Sequence, residues 1–333
     1  MPSTTNPPFR SLGLFLFLLF GLVIGSSLFF DWANKSPHVY HDIPQELLAY
    51  RETHVLSYLV PTGQATCFTI QNDSTFIVGT ADPPALYFFD DKGTLQRKVD
   101  LQEEPRAVVC NDKEKIIVAH QQHIAVYTAE GECEASWTLP RKTSDVRSLA
   151  VTPDYLFAAD TGSRNIYRFD TEGNLDLTFG KGFVVYAAPI TMTFSPKNGL
   201  LYIVNPGRHR IEVFTQEGKS VPDMSWGRPS TVFDGFAGCC NPVAVAALDD
   251  GRILTAEKAI SRVKIFDENR KLDCVVAGPR ILDEQPPGAV GRLPLKPDRS
   301  FSTMPLSDGR IVVFDFEYAT IRFFTPRQSV NNP

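Results

Sequence analysis

The sequence predicts an all-β fold, a six-bladed β-propeller with four-stranded blades, preceded by one apolar segment near the amino terminus. Three observations predict it. A strand-turn-strand sequence pattern occurs six times, its apolar runs are too short for helices, and one further strand-like segment precedes the first copy. Repeats of about 40 residues that contain several short strands are typical of propeller blades.

The amino-terminal apolar segment, Ser11 to Phe30, contains no charged residue. As a helix it would span roughly 30 Å, the thickness of the hydrocarbon core of a bilayer. It predicts a transmembrane helix or signal anchor at 11–30, after a tail at 1–10 and before a membrane-proximal stalk at 31–52. Arg10 precedes the segment, which favours a cytoplasmic amino terminus and an extracytoplasmic propeller, periplasmic in a bacterium.

A cleaved secretory signal is the alternative, with Gly25-Ser26-Ser27 as the small-residue site and a secreted product. Leu28-Phe29-Phe30 continue the apolar run beyond that site, which favours a retained anchor.

The propeller is predicted at 53–327, followed by a tail at 328–333. Each copy ends its second apolar run on an aromatic residue: Phe89, Tyr127, Phe169, Phe214, Phe266 and Phe324. Turn pairs such as Glu130-Gly131 separate runs rich in Val, Ile, Phe and Tyr, which indicates short antiparallel strands. Each copy is predicted to supply four strands, a to d from the channel outwards.

The third copy shows the expected strands most clearly: Ser148–Thr152 (a), Leu156–Asp160 (b), Asn165–Asp170 (c) and Leu175–Gly180 (d). The sixth copy ends soon after Phe324 and lacks a d strand. We therefore expect Thr53–Val60 to complete the last blade, which would close the ring and leave no exposed sheet edge.

Composition agrees with one folded ring and excludes one class of partner. A hydrophobic content of 43% with 24 Phe can fill the interfaces between six sheets. The net charge of −5 gives no general attraction to phosphate backbones, so nucleic acid is not an expected partner.

Two copies, LFAADTGSRNIYRFDTEGN and LYIVNPGRHRIEVFTQEGK, resemble NHL repeats. The resemblance extends over roughly residues 60 to 327 and implies a six-bladed propeller in a family of protein-binding, RNA-binding and sensor domains, with enzymes among its structural relatives. The stretch FAGCCNPVAVAALDDGRILTAEKAISRVKIFD resembles a motif of uncharacterised bacterial NHL-type proteins, for which it implies no known reaction.

Strand direction places the b-strand ends and the approaches to strand a on one face of the ring, which we call the mouth. The b-strand ends are Thr80, His120, Asp160, Asn205, Glu257 and Asp315. The approaches to strand a are Gln64, Glu104, Ser144, Pro189, Asn241 and Arg299. Two long connections, Ser225–Asn241 and Gly278–Arg299, flank blade five at this face, and connections of this length are often functional.

Ligand or partner contacts are accordingly expected on the blade-five side of the mouth, with one further candidate on blade two. These candidates are Cys239, Cys240, Asn241, Glu257, Lys258 and His120.

The adjacent cysteines, Cys239 and Cys240, form the most specific local motif. Three interpretations remain open: a vicinal disulfide or thiol pair that stiffens the loop or supports a ligand, two small buried residues, or redox or soft-metal chemistry. Cys67 and Cys274 are expected to be small apolar fillers, and no CxxC pattern suggests zinc.

Polar residues at the mouth also allow a metal site. Glu104, Asp160, Asn205, Glu257 and Asp315 could converge on the channel and hold a hard cation such as calcium. Such a cation could assist a hydrolase or lyase reaction. A structural role competes, since Asp and Asn at strand ends commonly cap the following turn.

The absence of a GxSxG, HExxH, Walker or GxGxxG motif leaves no residue to name as catalytic. A binding or scaffold module for an unknown protein or small molecule is therefore favoured over a metal-assisted enzyme and over a redox helper that uses the cysteine pair.

Overall fold

The computed structural model describes residues 42–288 and 300–327. The predicted anchor at 11–30, the stalk up to residue 41, residues 289–299 of the second long connection and the tail at 328–333 lie outside the described residues. In the described part of the chain, no helix is long and apolar enough to cross a membrane.

Six antiparallel sheets confirm the predicted propeller. The strand that precedes all repeats is β1 (Tyr50–Leu56). Blade one contains β2 (Ala65–Asn72), β3 (Thr75–Ala81), β4 (Pro84–Asp90) and β5 (Leu95–Asp100). Blade two contains β6 (Ala107–Cys110), β7 (Ile116–Ala119), β8 (His123–Tyr127) and β9 (Cys133–Thr138). Blade three contains β10 (Val146–Val151), β11 (Tyr155–Asp160), β12 (Asn165–Asp170) and β13 (Leu175–Phe179), within two residues of the predicted bounds.

Blade four departs from the expected four strands, because its sheet has three. These are β14 (Met192–Ser195), β15 (Leu200–Asn205) and β16 (Arg210–Phe214). A regular fourth strand is interrupted at Pro222, which cannot donate a ladder hydrogen bond and begins the 3₁₀ turn Pro222–Met224. Ser220 and Trp226 instead form isolated bridges to β16.

Blade five contains β17 (Ala244–Ala247), β18 (Ile253–Glu257), β19 (Arg262–Phe266) and β20 (Leu272–Ala277), and the short helix α1 (Pro279–Leu282) follows it. Blade six contains β21 (Phe301–Pro305), β22 (Ile311–Asp315) and β23 (Thr320–Pro326). Short 3₁₀ turns cover Gln45–Leu47, Pro206–Arg208 and Pro222–Met224.

The ring is closed by β1, which pairs antiparallel with β23 from Tyr50 opposite Pro326 to Leu56 opposite Ile321. This confirms that chain from before the first repeat completes blade six. The strand begins at Tyr50 instead of Thr53, and Leu48 also bridges Val275 of blade five. Residues 43–52, expected in the stalk, therefore belong to the compact unit that begins at Ile43.

The core lies in the layers between neighbouring blades. Phe68 of blade one stacks on Phe314 of blade six, with ring centroids 4.4 Å apart. Between blades four and five, Trp226 packs on Phe266 at 5.7 Å. The outermost strands β5 and β9 alternate between exposed and half-buried residues. Apolar burial between the sheets thus holds the six innermost strands around a central channel.

Candidate functional site

The six b-strand ends all lie buried at the mouth, as their strand direction predicts: Thr80, His120, Asp160, Asn205, Glu257 and Asp315. Their polar groups bind backbone around them. The Thr80 hydroxyl donates to the Pro83 carbonyl at 2.7 Å. Each blade thus uses its b-strand end to fix a neighbouring loop.

Asp160 and Asn205 cap loops of blades three and four. Asp160 Oδ1 accepts hydrogen bonds from the backbone N–H of Asp145 at 2.6 Å and of Gly162 at 3.0 Å. Asn205 Oδ1 accepts one from Val184 N–H at 2.9 Å. Both side chains therefore perform the capping role expected of short polar residues at strand ends.

Asp315 and His120 act similarly in blades six and two. Asp315 Oδ1 accepts from Glu317 N–H at 3.0 Å. His120 Nδ1 lies 3.2 Å from the carbonyl oxygen of Glu104, so the backbone of Glu104 and not its carboxylate makes this contact. Burial, reinforced by neighbouring His123, lowers the pKa of His120.

The five residues predicted as metal ligands are distributed over different blades, and four of them hold separate loops. Among residues 42–288 and 300–327, no three His, Cys, Asp or Glu side chains form a group suited to a metal ion.

Glu257 has a different environment, because it forms a fully buried ion pair with Lys264. Lys264 Nζ lies 2.7 Å from Glu257 Oε1, and neither side chain is accessible to solvent (0% each). Glu257 Oε2 accepts from Ala237 N–H at 2.7 Å. Burial lowers the pKa of Lys264, while Glu257 opposes this change.

This ion pair holds the connection between β16 and β17, residues 215–243, which we call the blade-five insertion. Lys264 Nζ donates to the carbonyls of Phe233 at 3.0 Å and Gly235 at 2.6 Å. Arg262 Nη2 donates to the Thr231 carbonyl at 3.1 Å. The charged groups of strand β19 therefore replace water as partners for the insertion's backbone.

Asn241 and Lys258 are also engaged with backbone. The Asn241 amide donates to the carbonyls of Ala237 and Lys258 and accepts from Lys258 N–H at 2.8 Å. Lys258 Nζ donates to the Ala187 carbonyl at 3.0 Å, linking blade five to the loop before β14. Both side chains are buried.

The sulfur atoms of the adjacent cysteines lie 3.2 Å apart, and no disulfide bond joins them in the structure. Cys239 is exposed and Cys240 is buried with a positive φ of 60°. The predicted blade-five candidates thus gather around one loop, and their side chains do not line the channel.

The channel itself is a cavity of about 960 Å³ lined by the innermost strands of all six blades. Its described lining contains four charged side chains: Asp73, Arg106, Asp145 and Arg147. Asp73 lies past the end of β2, away from the mouth, where its carboxylate accepts from Ser307 N–H at 3.1 Å. The other three lie at the mouth, where β6 and β10 begin.

Arg106 and Arg147 share one carboxylate oxygen. Asp145 Oδ1 lies 2.7 Å from Arg106 Nη1 and 2.7 Å from Arg147 Nε. Arg106 comes from blade two and the other two residues from blade three. Two guanidinium groups around one carboxylate leave an excess of positive charge in a concave site, where the field is focused.

The backbone of Asp145 is held by hydrogen bonds to the end of β11 and the turn that follows it. Its N–H donates to Asp160 and its carbonyl accepts from Thr161 N–H at 2.9 Å. This close approach depends on Gly162, because an added Cβ would lie 2.1 Å from the Thr143 carbonyl oxygen. The capping residue Asp160 thus acts as a positioning residue for the charged cluster.

Arg106, Asp145 and Arg147 are not among the site residues predicted from the sequence. One signal was present: both arginines follow the predicted approaches to strand a, Glu104 and Ser144, by two and three positions. Adjacent a strands of a propeller lie side by side at the channel, so charges at these positions meet across blades.

No protein-family model matches this sequence, and no curated protein matches it. Solved propellers match its fold. Streptogramin B lyase aligns with a TM-score of 0.56 at 9% identity, covering 84% of this chain and 98% of the lyase. A Bacteroides thetaiotaomicron protein of unknown function aligns with a TM-score of 0.59 at 12% identity, covering 80% and 70%. The Pan2 WD40 domain of Neurospora crassa aligns with a TM-score of 0.55 at 12% identity, covering 84% and 96%. At these identities the comparisons establish a propeller fold and no activity.

Proposed function

We propose that this chain is a membrane-anchored, extracytoplasmic, NHL-like propeller that acts as a binding or scaffold module and takes its ligand through the channel mouth. The single observation that carries the binding site is the 960 Å³ cavity with a charged cluster at one end. Ligand sites are typically concave, mostly apolar and equipped with a few polar groups that set orientation.

The cavity combines both features. Its wall includes the half-buried apolar side chains of Val109, Val151, Phe194, Ala247 and Met304. Polar hydroxyl groups in the wall are largely used to join blades, as when Thr191 Oγ1 donates to the Val243 carbonyl at 3.1 Å. Charge is concentrated at the mouth.

Filling the channel tests this site. Ser302 lines the cavity from blade six and makes no side-chain hydrogen bond within the described residues, so Ser302→Trp should occupy the channel while preserving the sheet. Ser136→Trp, on the exposed outer strand β9, is the matched control. A library of anionic, cationic and neutral fragments would be screened against the purified full-length chain by ligand-observed NMR.

We expect fragments that bind the wild type and the Ser136→Trp variant and are lost with Ser302→Trp. The proposed site is wrong if the channel variant keeps every fragment bound by the wild type, or if no fragment binds the wild type.

Membrane anchoring is supported by the uncharged stretch from Ser11 to Phe30. The full chain should remain in the membrane fraction after an alkaline wash, whereas a chain without residues 1–30 should be released. An intact mass that corresponds to a mature chain starting after Ser27 would instead support the cleaved, secreted alternative.

A metal-assisted hydrolase or lyase remains the second candidate, because a lyase is among the proteins that share the fold. A redox helper is the third, supported by the proximity of Cys239 and Cys240. Stoichiometric calcium in elemental analysis of the purified chain would favour the enzyme. A cysteine pair that resists alkylation until a reductant is added would favour the redox helper.

A further inference from the structure

We propose that the channel takes an amphipathic organic carboxylate, with its anionic group at Arg106 and Arg147 and its apolar body deeper in the channel. This inference rests on the proposed binding function and adds the chemical class of the ligand. It depends on the charge balance at the mouth, on unused hydrogen-bond donors, and on the change from charged to apolar lining along the strands.

The net charge of the side chains that line the mouth is positive, whereas that of the whole chain is negative. The protein carries a net charge of −5, yet the mouth end of the described lining has two arginines and one aspartate. Glu104, at the same face, does not line the cavity and binds His120 through its carbonyl oxygen. An anion entering the mouth therefore meets a site with one uncompensated positive charge.

The arginines also retain donors. A guanidinium group has five N–H donors, and among the described residues Arg106 and Arg147 each use one side-chain N–H, on Asp145 Oδ1. The buried Nε of Arg106 has no hydrogen-bond partner in the same part of the chain. Planar arginine forks bind carboxylates in bidentate geometry, so a second carboxylate fits the unused donors.

Apolar lining follows the charged cluster along the same strands. Arg147 stands near the start of β10 and Val151 at its end, roughly 13 Å further at about 3.3 Å per residue. Val109 occupies the corresponding part of β6, and Phe194 that of β14. A ligand with a carboxylate at one end and an aromatic or aliphatic body matches this order.

Two matched pairs of probes separate charge from shape: 2-naphthoate with 2-naphthamide, and octanoate with octanamide. Equilibrium dialysis against the full-length chain in a non-ionic detergent, corrected with empty micelles, would measure their binding. The carboxylates should bind more tightly than their amides. Arg147→Gln and Arg106→Gln should each weaken carboxylate binding about 10- to 100-fold, and amide binding should change little.

Two further variants distinguish binding from structure. Arg228→Gln removes the same charge from an exposed ion pair of the blade-five insertion and should leave carboxylate binding unchanged. Asp145→Asn preserves the backbone bonds to Asp160 and Thr161 and removes the competing carboxylate. It should retain or tighten carboxylate binding, whereas a purely structural cluster would lose it.

The inference is overturned if neither carboxylate binds more tightly than its amide, or if Asp145→Asn weakens carboxylate binding as strongly as Arg147→Gln. If the acids and amides bind equally and Ser302→Trp abolishes both, the channel site stands and the ligand class is wrong. If no probe or library fragment binds the wild type, the channel site fails as well.

Discussion

Replacing Lys264 by methionine should destabilise the blade-five insertion severely, because it leaves the Glu257 carboxylate buried without its cation. The ion pair is completely inaccessible, with a separation of 2.7 Å. Removing one partner of such a pair costs about 3–5 kcal/mol, against a total stability of roughly 5–15 kcal/mol for a typical domain. The carbonyls of Phe233 and Gly235 would also lose their donor.

A double substitution distinguishes the free-energy cost of the unpaired charge from the cost of lost packing. In Glu257→Gln/Lys264→Met, the remaining amide can still accept from Ala237 N–H, and the carboxylate that Lys264→Met leaves unpaired is gone. We therefore expect the double variant to be more stable than Lys264→Met alone. The matched control is Arg228→Met, because the Arg228–Asp234 pair is 61% and 51% exposed. Its loss should cost no more than about 1 kcal/mol.

Urea unfolding of the full-length chain, followed by tryptophan fluorescence, measures these differences. Trp226 is a local reporter, since it lies in the blade-five insertion and its ring is 5.7 Å from that of Phe266. The reasoning is refuted if Lys264→Met costs no more than Arg228→Met, or if the double variant is less stable than the single one.

Three further predictions concern pH, a close approach and ring closure. Burial lowers the pKa of His120 below its ordinary value of 6.5, so the unfolded chain takes up a proton that the folded chain excludes. Wild-type stability should therefore fall as pH drops below about 6.5, and His120→Gln should make the urea midpoint less dependent on pH; an unchanged slope would contradict this. Gly162→Ala should cost about 1–3 kcal/mol, since its Cβ would meet the Thr143 carbonyl oxygen at 2.1 Å, and an unchanged midpoint would argue against the close approach. Deleting residues 50–56 should expose the edge of β23 and produce aggregates in size-exclusion chromatography, whereas a monomer of unchanged melting temperature would show that β1 does not close the ring.

Much of the fold could be predicted from sequence because each blade is a local unit. In the third copy, the strands from Val146 to Phe179 follow from alternating apolar runs and turn pairs within about 35 residues. The exception is blade four, where Pro222 removes a backbone donor and begins a 3₁₀ turn in place of a regular fourth strand. Ring closure was predictable because the last repeat lacks a strand.

The candidate site could be predicted only in part. Strand direction placed Asp160 and Asn205 at the mouth, since this depends on chain order alone. Lys264 is buried because the blade-five insertion covers strand β19. This contact joins segments about 30 residues apart, and the pattern of apolar residues in the sequence does not predict it. The contact between Arg106 and Asp145 similarly requires two blades, because the partners are 39 positions apart in the sequence.

The most direct test of the channel as a carboxylate site is a crystal structure of the full-length chain with 6-bromo-2-naphthoate, in which anomalous scattering locates the bromine. We predict bromine inside the channel beyond the mouth, beside the wall that includes Val151, with the carboxylate at Arg106 and Arg147. Bromine bound only on the outer surface of the ring, or a carboxylate directed away from both arginines, would contradict the account.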